Sequence, residues 1–208
     1  ISCIFNGYDE ERLKGVNCKP APSADNVFKI GVFGKFMIYN PEKGPLILKA
    51  VDRLRKEGIN AQIVHVGVGR DDVLETIRQL GVDPACYDGR GILDYKDGVS
   101  VMAGCNMFAM DYVHPTGLGT KIFDYINLNK PVLAVAPQDI NFSQFVSQFE
   151  NCFVVDDEEQ IYRTMRKIAM ERIQTLDSKM NADAFSRKHQ NKRFVDLLQA
   201  YMADSRTA

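Results

Sequence analysis

Short apolar segments rich in β-branched residues alternate along this chain with longer segments whose apolar residues recur every three to four positions. No other feature constrains the fold as strongly. Residues 27–34 (VFKIGVFG) read as a buried strand that meets a turn at Gly34. Residues 45–58 follow, with Leu46, Ile47, Ala50, Val51 and Leu54 on one helical stripe and Gly58 as the stop. Residues 61–67 (AQIVHVG) are the next strand. Asp71 reads as the N-cap of a helix carrying Val73, Leu74, Ile77 and Leu80, closed by Gly81. Residues 86–93 are ambiguous but fit a short strand, 96–104 a helix, 106–110 a strand, 119–129 a helix, 131–136 (PVLAVA) a buried strand and 151–155 a last short strand. Two long amphipathic helices, 157–176 and 181–202, end the pattern, with a break near Asp177. Alternation at these lengths predicts an α/β fold with a doubly wound, mostly parallel sheet and helices on both faces. In such sheets ligands bind at the carboxyl ends of the strands.

Composition narrows the function. Lys and Arg total 26 against 27 Asp and Glu, a formal net charge of −1, so there is no electrostatic footprint for nucleic acid or for bulk membrane-surface binding. The longest purely apolar run, Val132–Ala136, is far short of the roughly 20 residues that span a bilayer, which predicts no transmembrane segment. Five scattered cysteines without a C-x-x-C pair argue against a disulfide framework or a zinc knuckle and suit a reducing cytosol, hence a cytoplasmic location. The chain opens Ile-Ser-Cys without an initiator Met or a signal-peptide pattern and is read as a piece of a longer protein. Residues 8–26, with Pro20 and Pro22, read as an exposed connecting segment.

Several chemistries lack their motifs. G-x-x-x-x-G-K-[ST] is absent, and G-x-G-x-x-G fails twice, since Asp72 and Ile122 stand where the third glycine belongs. G-x-S-x-G is missing. Three histidines (His65, His114, His189) with no H-x-x-x-H give no metal site, and no cofactor is implied.

What remains lies at strand ends. Gly34-Lys35 follows the first strand, and Lys43-Gly44 stands at the mouth of the following helix. Two ammonium groups beside a helix N-terminus suit a polyanion such as a diphosphate, although two solvated surface lysines would look the same. The run from His114 to Lys121 (HPTGLGTK) places two glycines before a helix N-terminus, so a ligand can approach the backbone of Gly117, Leu118, Gly119 and Thr120 closely. Asp124, one helical turn on, is able to accept both hydroxyl hydrogens of a ribose or to be a solvated first-turn acid. His65, between Val64 and Val66, reads as a hydrogen-bonded structural histidine. Met102, Met107, Phe108 and Met110 read as core, and Arg163, Arg166, Lys167 and Arg172 as a solvated basic stripe.

Taken together, four stretches resemble the carboxyl-terminal half of a GT-B type glycosyltransferase of the retaining family-four kind. Phe5-Asn6-Gly7-Tyr8-Asp9 is similar to the N-G-hydrophobic-D element that opens that domain. Gly34-Lys35 through Lys43-Gly44-Pro45 resembles the G-R/K…K-G element, and residues 63–69 the V/I-V-G-x-G strand end. Residues 117–136 resemble the signature of glycine loop, helix, G-K-P-V turn and strand, and this last likeness is the most specific.

The resemblance implies a Rossmann-like nucleotide-sugar-binding domain over 27–180. Residues 1–26 would be an interdomain segment, and 181–208 a helix that crosses to an amino-terminal domain. It also implies that Lys35 and Lys43 bind the diphosphate of a UDP- or GDP-linked sugar and stabilise its departure without metal. On the same likeness Asp124 binds the ribose, Gly34, Ile92 and Leu93 lie against the nucleotide, and His114 and the 117–120 backbone face phosphate and sugar. Where the E-x7-E pattern has its first acid this chain has Thr116, a tentative sugar contact that leaves the donor sugar open, and Asn129-Lys130 replaces Gly-Lys before Pro131. The acceptor would sit on the absent amino-terminal domain, which would also be the part to dock peripherally on a membrane. This chain alone would therefore bind donor without transferring sugar. Phe185, Phe194, Leu197, Leu198 and Tyr201 would be left partly uncovered. Two alternatives share the sheet: the donor domain of a GT-B-like sugar-nucleotide epimerase, and a non-catalytic Rossmann-like interaction module that binds no nucleotide.

Overall fold

A computed structural model describes residues 3–16, 26–177, 179 and 181–204. The first strand, β1 (Phe28–Lys35), is followed by α1 (Gly44–Lys56), β2 (Ala61–Val68), α2 (Arg70–Leu80), β3 (Tyr87–Gly91), α3 (Tyr95–Ala103) and β4 (Met107–Asp111). Then come α4 (Lys121–Leu128), β5 (Val132–Val135), α5 (Asn141–Val146), β6 (Cys152–Val155), α6 (Glu158–Glu171) and α7 (Arg187–Asp204). The strands form one sheet in the order β3-β2-β1-β4-β5-β6, every neighbouring pair parallel. The α/β, doubly wound expectation holds.

Strand period two divides the core. Ile30 and Val32 of β1 and Ile63 of β2 pack under α1, α2 and α6 with Ile47, Val51, Leu54, Val73, Ile161 and Met165. On the other face Val64, Val66, Phe108 and Ala134 meet Met102, Ile122, Phe123, Ile126 and Phe142. Both faces of β5 are buried, as a continuous apolar run in a parallel sheet requires. Among the described residues no helix is long and apolar enough to cross a membrane.

The structure corrects several boundaries. Gly69, with φ +90°, precedes α2 at the N-cap position, and Asp71 lies in its first turn. The helix read as 157–176 stops at Glu171, because Arg172 turns left-handed (φ +52°) and closes it. A 3-10 turn, Ala182–Phe185, precedes α7, so 181–202 is not one helix. The short helix α5 was not anticipated at all. Asn129, also left-handed at φ +49°, caps α4, which explains why asparagine, a residue that tolerates this conformation, replaces the usual glycine there.

Residues 8–16 are not a bare exposed connector; 17–25, with Pro20 and Pro22, lie outside the described residues. Tyr8 and Leu13 are buried. Tyr8 N donates to Phe185 O, Arg187 N donates to Tyr8 O, and Asp9 pairs with Arg187 at 3.0 Å. Gly7 sits at φ +77°, where an added Cβ would fall 2.7 Å from Phe185 O, so the close approach of these segments needs glycine. Phe185, expected to be uncovered, packs instead among Phe5, Phe123, Phe145 and Phe149. Phe194, Leu197, Leu198 and Tyr201 are exposed, as expected.

Candidate functional site

The chain leaves β1 toward β2 and β3 on one side of the sheet and returns through β4 to β5 and β6 on the other, so β1 and β4 flank the point where the winding reverses. They pair only at Ile30–Met107 and Gly31–Phe108. Beyond that pairing the Phe33 N–H donates to Tyr125 Oη at 2.9 Å. A cleft of about 900 Å³ opens at the carboxyl ends of these strands, where parallel sheets of this kind bind ligands.

Of the residues expected from the sequence, Gly34, Lys35, Ile92, Leu93, His114, Gly119 and Thr120 line this cleft. Lys35 Nζ lies over the Tyr39 ring, 4.9 Å from its centre. Lys121, at the N-terminus of α4, also lines the cleft and holds its Nζ 4.2 Å from the centre of the Phe33 ring. Two ammonium groups and the free N–H groups of a helix N-terminus therefore face one space lined largely by apolar side chains, an arrangement suited to a polyphosphate with a flat base beside it.

His114 organises the glycine loop. Its Nδ1 accepts from the Gly117 N–H at 3.1 Å, and because an amide only donates, the ring proton of the neutral form is on Nε2. Gly119 has φ +68°, and a Cβ at Gly117 would lie 2.7 Å from Tyr112 Oη, so the loop folds down onto that tyrosine. Thr116 is exposed on the loop, and neither it nor Gly117 or Leu118 lines the cleft.

Two expected residues are engaged elsewhere. Lys43 pairs with Asp156 at 3.0 Å and donates to the Asp156 carbonyl at 2.7 Å, outside the cleft. Asp124 is buried, accepts from Tyr95 Oη at 2.5 Å and stands 4.0 Å from Lys121 Nζ. Burial raises its pKa, opposed by the Tyr95 hydrogen bond and the Lys121 charge.

Sequence reasoning missed Tyr39, Tyr112, Lys121 and above all Asp111. Asp111 is 5% exposed and lines the cleft at the end of β4, and its carboxylate accepts from the Met37 N–H at 2.9 Å. Among the described residues no cation lies within ion-pair distance, and burial pushes its pKa up to about 7. Met37 has a left-handed backbone, φ +63°, so this hydrogen bond steadies a turn that methionine rarely adopts. Met102, Met107 and Phe108 are core, whereas Met110 lines the cleft. His65 is the buried, hydrogen-bonded residue that its strand position predicts: its ring lies 2.8 Å from Tyr87 Oη and 3.0 Å from Gly34 O, and burial lowers its pKa. Among the described residues no group of three His, Cys, Asp or Glu side chains is placed to hold a metal ion.

No protein-family model matches the chain. No curated protein matches it in sequence. Solved structures do match in fold. The Anabaena HepE structure in complex with UDP-glucose aligns with a TM-score of 0.68 at 18% identity, over 95% of this chain and 57% of that one. The S. aureus MnaA–UDP structure aligns at 0.64 and 15% identity, over 96% and 55% of the two chains. Sucrose-phosphate synthase from Thermosynechococcus elongatus aligns at 0.70 and 15%, over 97% and 52%. The chain thus spans little more than half the length of these structures, and it shares with them a Rossmann-like domain of the GT-B fold.

Proposed function

We propose that this chain is the donor-binding half of a glycosyltransferase that moves a sugar from a UDP- or GDP-linked donor to an acceptor with retention and without metal. One observation carries the reading. The cleft where the winding reverses is flanked by Lys35 at the end of β1 and by Lys121 at the N-terminus of α4. Breaking a sugar–phosphate bond leaves a nucleoside diphosphate with growing negative charge, and these groups are pre-organised to stabilise it. That the HepE and MnaA structures contain UDP-glucose and UDP supports the same reading.

In this reading the base rests on Ile92 and Leu93, and the ribose binds Asp124, sharing it with the Tyr95 hydroxyl. Phosphates meet Gly34, Lys35, Lys121 and the N–H groups of Gly119 and Thr120. His114 faces the sugar from the loop that carries Thr116, Gly117 and Leu118 outside the cleft, and Lys43 joins when its pair with Asp156 opens. The acceptor binds a further domain outside this sequence, toward which the exposed face of α7 is directed, and the chain alone binds donor in the cytoplasm without turnover.

Calorimetric titration with UDP, GDP, ADP and inorganic phosphate, with and without magnesium, tests this. Micromolar binding of one nucleoside diphosphate, indifferent to the metal, is the expected result. Binding of none of them by this chain or by the longer protein would overturn it in favour of an interaction module.

A further inference from the structure

We propose that His65 is a positioning residue for the diphosphate: it holds the Gly34 carbonyl over β2, and so fixes the Gly34–Lys35 peptide with the Lys35 N–H facing the cleft as a phosphate donor. The proposal rests on the nucleotide reading above.

A carbonyl only accepts, so the 3.0 Å contact to Gly34 O puts the His65 proton on Nε2. Nδ1 then accepts from the Tyr87 hydroxyl at 2.8 Å. Both ring nitrogens are used and the residue is 1% exposed, so the ring has one orientation. His65 and Gly67 are two residues apart on β2 and share a face of the sheet. Gly34 O lies where a Cβ on Gly67 would approach within 1.7 Å, so this carbonyl leans over that same face, beneath the ring. Gly34 itself, at φ +103°, has the backbone freedom to let it lean.

In a trans peptide the C=O and the N–H point in opposite directions. With Gly34 O turned to β2, the Lys35 N–H turns to β4. Strand alternation gives the same answer independently. The Phe33 N–H donates to Tyr125 Oη on the β4 side, and Lys35, two residues on, presents its N–H to that side, where the cleft opens. Lys35 would then give a phosphate both an ammonium and an amide in the cleft that Lys121 and the start of α4 also line.

The residue type is informative. On its own face of β2 His65 follows the buried, apolar Ile63, and its ring lies 5.7 Å from that of the buried Phe36, a setting that an apolar side chain would also suit. A buried imidazole needs both nitrogens satisfied, and one of its two partners is the carbonyl next to the Lys35 amide.

Amide NMR on the ¹⁵N-labelled chain, titrated with inorganic pyrophosphate, UDP and GDP, tests the proposal. The Lys35 amide should shift saturably with pyrophosphate. His65→Phe should weaken pyrophosphate and nucleoside diphosphate binding about tenfold, the worth of one charge-assisted hydrogen bond. His65→Gln, whose amide can still donate to Gly34 O, should recover most of the loss. A nucleotide that saturates the parent while the Lys35 amide stays unmoved would overturn this proposal and leave the nucleotide reading intact. Equal affinity in parent and His65→Phe would do the same. Failure of every probe to bind would overturn both. Should His65→Phe not fold, the Lys35 amide of the parent and the affinity of His65→Gln decide.

Discussion

Lys43 and Asp156 form an ion pair of 3.0 Å that ties the start of α1 to the end of β6, with Lys43 Nζ also on the Asp156 carbonyl. Both side chains are substantially exposed, and pairs of that kind contribute only about 0–1 kcal/mol. A contact between an ammonium and a phosphate is worth roughly 1.5–3 kcal/mol, so exchanging Asp156 for a diphosphate is favourable if the lysine can reach it. Asp156→Asn should therefore tighten nucleoside diphosphate binding severalfold. The gain should vanish in a Lys43→Ala background, read as a double-mutant cycle by calorimetry. An equal gain in both backgrounds would show that Lys43 stays outside the site.

Lys35, at the end of β1, and Lys121, at the start of α4, both line the cleft. Lys35→Ala and Lys121→Ala should each cost about 1.5–3 kcal/mol of nucleoside diphosphate binding, roughly 10- to 150-fold in Kd. Binding of the bare nucleoside should hardly change. Equal loss for nucleoside and diphosphate would move the phosphates elsewhere.

Gly67 and Gly81 both have positive φ, but their surroundings differ. A Cβ at Gly67 would collide with Gly34 O at 1.7 Å, whereas at Gly81 it would meet nothing within 4 Å. Gly81→Ala should cost about 1 kcal/mol, the left-handed penalty alone. Gly67→Ala must break the β1–β2 contact as well and should cost upwards of about 4 kcal/mol, or abolish folding. Thermal unfolding of the two variants side by side gives the comparison.

The sheet was legible because its strands are apolar runs with no competing period: VFKIGVFG, AQIVHVG and PVLAVA leave little choice. The cleft residues Gly34, Lys35 and His114 followed from that alternation, which puts them at strand ends, whereas Ile92 and Leu93 came only from the likeness to the GT-B family. Asp111 did not. The strand was read as stopping at Met110, and nothing local distinguishes an acid that ends a buried strand from one that opens a loop. Only the sheet order, with β4 beside β1, brings it to the cleft. Helix α5 is short enough to pass for a loop, although Phe142, Phe145 and Val146 have helical spacing and are buried. Lys43 shows the opposite failure: its place at a helix mouth was readable, but its partner Asp156 is brought to it by β6, more than a hundred residues away in sequence.

Asp111 gives the chain a pH dependence whose sign can be worked out. Burial raises its pKa from the usual 3.8 to about 7, so between those values the folded state holds a proton that the unfolded state has lost. Stability must then fall as pH rises through this window, because charging the carboxyl in the fold opposes its desolvation. At 1.36 kcal/mol per pKa unit the full effect is at most about 4 kcal/mol, complete above pH 7. Asp111→Asn keeps the shape and can still accept from the Met37 N–H, but it has no charge to bury. Relative to the parent it should gain stability steadily from pH 4 to pH 7 in urea unfolding and differ little at pH 4. A parent and variant whose difference stays flat across that range would place the carboxylate in a more polar setting than its 5% exposure indicates.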